Sequence, residues 1–170
     1  MASPEPAEFQ PKPILRKLLE HGVDFVLIGG LAGIAHGSSY PSYDVDIAYA
    51  RGNENLRRLA SALRELGATL RGAPPEVPFQ LDARTLKSGA RFTFETPYGS
   101  LDILADPDGE PSYDKLKEAA GAPAEVEGEL ILIASLDHLI AMKDVSGRTK
   151  DKLMATEYRV LSDQLRAPRD

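Results

Sequence analysis

The sequence predicts an α/β (α+β) chain, a mixed β-sheet flanked by helices in a single domain, and three observations carry that reading. The run Val23-Asp24-Phe25-Val26-Leu27-Ile28 is short, β-branched and almost wholly apolar, and it breaks at Gly29-Gly30. Asp44-Val45-Asp46-Ile47 alternates acid and hydrophobe, and residues 90–95 and 100–104 alternate on either side of a Thr96-Pro97-Tyr98-Gly99 turn, a hairpin signal. Between them, Leu56, Leu59, Ala60, Leu63 and Leu66 recur at helical spacing and mark an amphipathic helix over 53–66, ended by Gly67.

In chain order, residues 1–13 hold four prolines and read as a flexible arm preceding a domain over 14–166. Ile14, Leu15, Leu18 and Leu19 predict a helix that Gly22 closes. Residues 23–28 have the composition of a central strand covered on both faces. Leu31 to His36 forms a short helix of small residues, and 37–43, with three serines and Pro41, a loop. After the 53–66 helix, 68–78 is a short strand and then a surface loop, broken by Pro74, Pro75 and Pro78. Asp106-Pro107-Asp108-Gly109 reads as a turn, 113–120 as a helix and 125–133 as one or two short strands around Gly128. Ser135 is placed to cap a helix over 135–143. A basic turn from Lys143 to Lys150 leads to a last helix from Asp151 to about Leu165.

Composition narrows the chemistry. With 170 residues, 42% hydrophobic and 27% charged, the chain is long enough for one ordinary core. It lacks an apolar run long enough to span a membrane and its first residues do not resemble a signal peptide, so a soluble cytoplasmic protein is expected. The sequence contains no cysteine, which excludes disulfides, zinc-thiolate sites and cysteine catalysis. His21, His36 and His138 lie far apart without ligand spacing. Any metal is therefore expected on oxygen, which favours magnesium, with manganese the other candidate. A net charge of −6 argues against broad nonspecific binding to nucleic acid.

On a strand, Asp44 and Asp46 share a face while Val45 and Ile47 point into the core, so the two acids stand roughly 6 to 7 Å apart at the backbone. Carboxylates that close repel and raise one another's pKa, and a divalent cation reverses that cost. The Gly29-Gly30 bend before a helix is either a tight strand–helix turn or a place where backbone N–H groups meet a phosphate. Asp102, between Leu101 and Ile103, is a third acid among hydrophobes.

A strand ending in Gly29-Gly30, Asp44-x-Asp46 on the next, and Asp102 on a later one resembles the polymerase-beta-type nucleotidyltransferase superfamily. The segments LIGGLAGIAHGSSYPSYDVDI and SLDHLIAMKDVSGRTKDK resemble a small prokaryotic branch related to abortive-infection nucleotidyltransferase toxins. The resemblance implies a mixed sheet of the nucleotidyltransferase type and transfer of a nucleoside monophosphate from an NTP to a hydroxyl acceptor in RNA, protein or a small molecule. It implies that Asp44, Asp46 and Asp102 are catalytic and hold two Mg2+ ions, with Asp102 a general base or a ligand of the activating metal. In-line displacement with two metals about 3.5 to 4 Å apart is consistent with carboxylates on adjacent strands. By the same likeness Gly29, Gly30, Ser38 and Ser39 would cradle phosphates, and Lys143, Arg148 and Lys150 would contact phosphates or base. The default for that basic cluster is a solvated turn. A small cognate antitoxin is the partner implied. Many relatives carry an arginine shortly before the Asp-x-Asp pair, where this chain has Ser39-Tyr40-Pro41-Ser42-Tyr43.

Two rival functions share these residues: a catalytically silent nucleotide-binding or regulatory module, and a small-molecule antibiotic nucleotidyltransferase whose cleft for a cationic acceptor would use Asp82, Glu95 or Glu110. Tyr40 and Tyr43 are candidates for stacking on a base or for packing, and His36 for a helix-ending role near the phosphates.

Overall fold

The computed structural model describes residues 8–73, 79–105 and 112–166. The loop at Pro74, Pro75 and Pro78, the turn at Asp106-Pro107-Asp108-Gly109, and Glu110 lie outside them.

Fourteen elements follow in order: α1 (Pro11–Glu20), β1 (Phe25–Ile28), α2 (Gly29–Ala35), β2 (Asp44–Tyr49), α3 (Asn53–Glu65), β3 (Thr69–Leu70), α4 (Ala83–Ser88), β4 (Arg91–Thr96), β5 (Gly99–Leu104), α5 (Tyr113–Ala120), β6 (Ala124–Val126), β7 (Glu129–Ile131), α6 (Leu136–Ser146) and α7 (Thr149–Arg166). Five strands form a mixed sheet in the order β1-β2-β5-β4-β3, with β2 and β5 parallel and the other pairs antiparallel. The β6–β7 hairpin turns at Glu127 and Gly128, both at positive φ.

The sheet register separates two chemistries. Leu70, Phe94, Leu101 and Val45 stand in one cross-strand row, and Ile103 and Ile47 in the next. Val45, Ile47, Phe94, Leu101 and Ile103 are fully buried in one core with Ile14, Leu15 and Leu18 of α1 and Leu56, Leu59 and Leu63 of α3. Removing that apolar area from water is the main favourable term for the fold. The opposite face carries Asp44, Asp46, Ser100, Asp102, Thr93 and Glu95.

Three sequence expectations need correction, and one helix was not anticipated. The arm does not reach residue 13, because α1 begins at Pro11 with proline in its first turn, where no N–H partner is lost. β1 is an edge strand of the five-stranded sheet rather than a central one. It is nonetheless buried at all four residues, because residues 132–134 run alongside it: Leu27 N–H donates to Leu132 O at 2.8 Å and Ala134 N–H to Leu27 O at 2.9 Å. The stretch from Lys143 to Ser146 is the last turn of α6, which ends only at Gly147 in the left-handed conformation. Helix α4, in a segment without a clear periodic signal, is capped by Asp82, whose Oδ1 accepts from Thr85 N–H at 2.8 Å.

Ser135 does cap α6, its Oγ accepting from His138 N–H at 3.2 Å. Asn55 joins α3 to the sheet, accepting from Asp24 N–H at 2.7 Å and donating to Asp24 O and Ala50 O. Helix α7 lies on α6 and sends the fully buried Tyr158 against α2, where a Cβ at Gly33 would lie 2.3 Å from the Tyr158 hydroxyl. That hydroxyl has no hydrogen-bond partner among the described residues.

Two substitutions test this contact by thermal denaturation. Gly33→Ala is expected to cost about 1 to 3 kcal/mol through overpacking, and Tyr158→Phe to cost nothing and to relieve part of that loss in the double variant. A loss above about 1 kcal/mol in Tyr158→Phe alone would show that the hydroxyl has a partner.

Candidate active site

The three acids meet because β2 and β5 are parallel neighbours in a register that sets Asp46 opposite Asp102 and Asp44 opposite Ser100. Antiparallel β1 ends where β2 begins, with Ile28 opposite Asp46, so the Gly29-Gly30 bend falls beside the acids. Gly29 has φ +72° and faces the Asp46 carboxylate so closely that a Cβ there would lie 2.3 Å from Oδ2. No other residue meets both demands. Gly30 packs in the same way against Ser42.

Burial pushes the Asp46 carboxyl up to about 8; the charge of Asp102, a hydrogen bond with it, and then Asp44 add to the rise, and Lys143 opposes it. Burial and the Asp102 charge also raise Asp44, against Arg71 and Lys150. Asp102 Oδ1 is buried with no hydrogen-bond partner among the described residues. Like charges in contact with a vacant acceptor atom form a site short of positive charge.

The donors are all carboxylate oxygens, which fits a hard divalent cation in charge and chemistry. As the side chains stand, no three of the described His, Asp or Glu residues are drawn together tightly enough to enclose an ion. Asp46 and Asp102 touch, and Asp44 lies two residues away on the same face.

The remaining expected residues divide. Lys143 lies within the field of Asp46 but pairs with Asp151 at 3.0 Å, both side chains largely buried, and Ser146 Oγ donates to the same carboxylate. Lys150 acts on Asp44. Arg148 is exposed and acts on Asp151. Ser38 and Ser39 are already engaged: both hydroxyls donate to the Glu157 carboxylate, and Ser39 N–H donates to Glu157 Oε2 at 3.1 Å. These bonds hold the Glu157 pKa below its usual range, against the effect of burial. His36 ends α2 and its Nε2 lies 2.8 Å from Ala134 O. Tyr40 packs on the core, while Tyr43 is 69% exposed beside Asp44. Of the acids considered for a cationic acceptor, Asp82 is spent on capping α4 and Glu95 on Arg71.

Arg71 and Glu157 were not legible as site residues. Arg71 follows the two-residue strand β3, and its N–H donates to Thr93 O at 2.9 Å. Its Nε reaches Glu95 Oε1 and its Nη2 reaches Ser100 Oγ, each at 2.5 Å. Among the charges acting on Asp44, Arg71 is the largest that lowers its pKa. A cation absent just before Asp44 in sequence thus arrives from another strand. Only the alternation Thr69-Leu70-Arg71 hinted that Arg71 shares a face with the acids.

No protein-family model and no curated protein matches the sequence. Solved structures do match by shape. The lincosamide antibiotic adenylyltransferase LnuA, with lincomycin bound, superposes with a TM-score of 0.60 at 16% identity, covering 91% of this chain and 99% of that one. The antibiotic-resistance factor ANT(2'')-Ia matches with a TM-score of 0.54 at 16% identity, covering 92% and 89%. A candidate nucleotidyltransferase from Thermotoga maritima gives 0.54 at 16% identity, covering 89% and 95%. The chain has the nucleotidyltransferase fold. Within the nucleotidyltransferase fold its mixed sheet is flanked by helices in one domain, as the sequence pattern implies. None of its described helices is long and apolar enough to cross a membrane.

The raised Asp46 pKa has a sign that can be tested on metal-free protein. A carboxyl ordinarily at 3.8 and held near 8 in the fold stabilises it fully below about pH 4, and that contribution is lost as pH rises through 8. Asp46→Asn, neutral at every pH, is expected to melt higher than the wild type at pH 8.5 by at least about 4 °C and to match it near pH 4. Magnesium should raise the wild-type melting temperature more at pH 8.5 than at pH 5. Equal pH profiles for the two proteins would refute the buried repulsion.

Proposed function

We propose that the protein is a magnesium-dependent nucleotidyltransferase that moves a nucleoside monophosphate from an NTP to a hydroxyl acceptor. The observation that carries the reading is the parallel register of β2 and β5, which sets Asp102, whose buried Oδ1 has no hydrogen-bond partner among the described residues, against Asp46 beside the Gly29 bend. The shared fold with antibiotic adenylyltransferases supports it.

In this reading Asp44, Asp46 and Asp102 hold the divalent ions, which when bound supply charge neutralisation for the triphosphate and polarise the acceptor hydroxyl. Gly29 and Gly30 leave room for phosphate beside the carboxylates, and Lys143 and Lys150 offset its charge from the α6–α7 side. Asp102 takes the proton of the acceptor hydroxyl. The acceptor oxygen bonds to the α-phosphorus, the bond from that phosphorus to the bridging oxygen breaks, and pyrophosphate leaves with the electron pair.

A second reading, nucleotide binding without transfer, draws on one observation: the segment directly before Asp44, Ser39-Tyr40-Pro41-Ser42-Tyr43, carries no cation. A finer version of the first reading makes the protein a cytoplasmic toxin with a small cognate antitoxin, supported by the abortive-infection likeness of its two signature segments.

The test is incubation with each labelled NTP and magnesium, scoring nucleotide binding and label transfer to RNA, protein and aminoglycoside or lincosamide acceptors. Transfer is expected with the wild type and a loss of at least about a thousandfold in Asp46→Asn. Binding without transfer would select the silent module, and no binding of any NTP would overturn both. For the toxin reading, induced expression of the wild type should arrest growth while Asp46→Asn does not, as counted by colony formation.

A further inference from the structure

The acid face of the sheet does not stop at Asp102. Its register continues in two polar rows toward the β3 edge: Asp46, Asp102 and Thr93 in one, and Asp44, Ser100, Glu95 and Thr69 in the other. The Gly29-Gly30 bend belongs to the β1–β2 side of the carboxylates and α6 packs on α2 there, so this shelf lies on the opposite side, toward β4 and β3. A transferase must hold its two substrates on the two sides of the reacting phosphorus. Beyond Asp44, Asp46 and Asp102, the shelf presents hydroxyls, one carboxylate and one guanidinium.

Its charges discriminate among acceptors. Glu95 Oε1 accepts from Arg71, and the two Glu95 oxygens share the Ser100 hydroxyl, so the carboxylate is already paired with a cation. Arg71 uses Nε and Nη2 in holding that arrangement, and its Nη1 has no hydrogen-bond partner among the described residues. Bonds to Glu95 and Ser100 on two neighbouring strands orient the guanidinium, which reduces the side-chain entropy it loses on binding. A pre-aimed guanidinium edge with unused donors takes a phosphate. Beyond the three site acids, a cationic acceptor would find on the shelf only the carboxylate already paired with Arg71.

We propose that Thr93, Ser100, Glu95 and Arg71 form the acceptor subsite, and that the acceptor is a hydroxyl compound carrying a phosphate group, which Arg71 binds. The proposal rests on the transferase reading, whose nucleotide-binding step is measured first. Arg71 is the specificity-determining residue, and Glu95 and Ser100 position it.

The experiment uses the whole protein with magnesium and the α,β-methylene analogue of whichever NTP binds. Affinities for ribose 5-phosphate, an RNA trinucleotide with a free 3′-hydroxyl, ribose and glucosamine are measured by calorimetry for wild type, Arg71→Gln and Arg71→Lys. The expected result is that one of the phosphate-bearing probes binds the wild type at least about tenfold tighter than ribose or glucosamine. The better of the two identifies the source of the phosphate. Arg71→Gln should erase the margin, taken as a ratio between probes within each variant so that any change in nucleotide affinity or stability common to all four cancels, and Arg71→Lys should restore part of it. Equal binding of all four probes, no binding of either phosphate probe, preference for glucosamine, or a margin that survives in Arg71→Gln each overturns the proposal while leaving nucleotide binding intact. Failure of the wild type to bind any nucleotide sinks the transferase reading itself, and this inference with it.

Discussion

Asp46 and Asp102 stand side by side across two parallel strands, and that contact between like charges organises the molecule around it. Left as it is, the pair keeps a proton that an exposed carboxylate would release, since burial and mutual repulsion both disfavour the second charge. The fold tolerates it because the same two strands bury Val45, Ile47, Leu101 and Ile103 on their other face. A one-residue slip of β2 against β5 would exchange the two faces, so the hydrophobic pattern that secures the core also secures the acid pair.

The neighbourhood of that pair is built by close approach. Gly29 brings backbone against the Asp46 carboxylate, and Gly33, one turn further along α2, lets Tyr158 of α7 reach the same helix. Through Tyr158 and through Glu157, which accepts from Ser38 and Ser39, α7 is tied to the segment between the glycine bend and Asp44. The Lys143–Asp151 pair ties it to α6. One helix therefore governs both the loop before the carboxylates and the lysine that opposes the Asp46 shift. Movement of α7 would change the two together.

Charge compensation across the site comes from distant parts of the chain. Lys143 and Lys150 act from the α6–α7 side, and Arg71 acts from the far edge of the sheet. The segment directly before Asp44 contributes no cation. Electrostatic complementarity depends on where charges lie in space, and a sheet whose order is β1-β2-β5-β4-β3 places residue 71 on the face of residues 44 and 102.

Local pattern by itself determined a good deal here. Alternation identified Asp44 and Asp46 as face-mates and Asp102 as an acid between buried neighbours, helical spacing marked α3, and Ser135 announced the start of α6. Those readings succeed because each depends only on periodicities of two or 3.6 residues or on a cap within one turn. Tertiary structure decided what such periods cannot encode. β1 is an edge strand closed by residues 132–134, prolines open α1 where they read as an arm, and the basic stretch after Lys143 is largely helix. Above all, the parallel pairing of β2 with β5 set Asp102 beside Asp46, and the order of β4 and β3 beyond it brought Arg71 onto their face. Strand order is chosen by the global packing of two apolar surfaces, a sum over contacts far apart in sequence, and no short window of residues contains it.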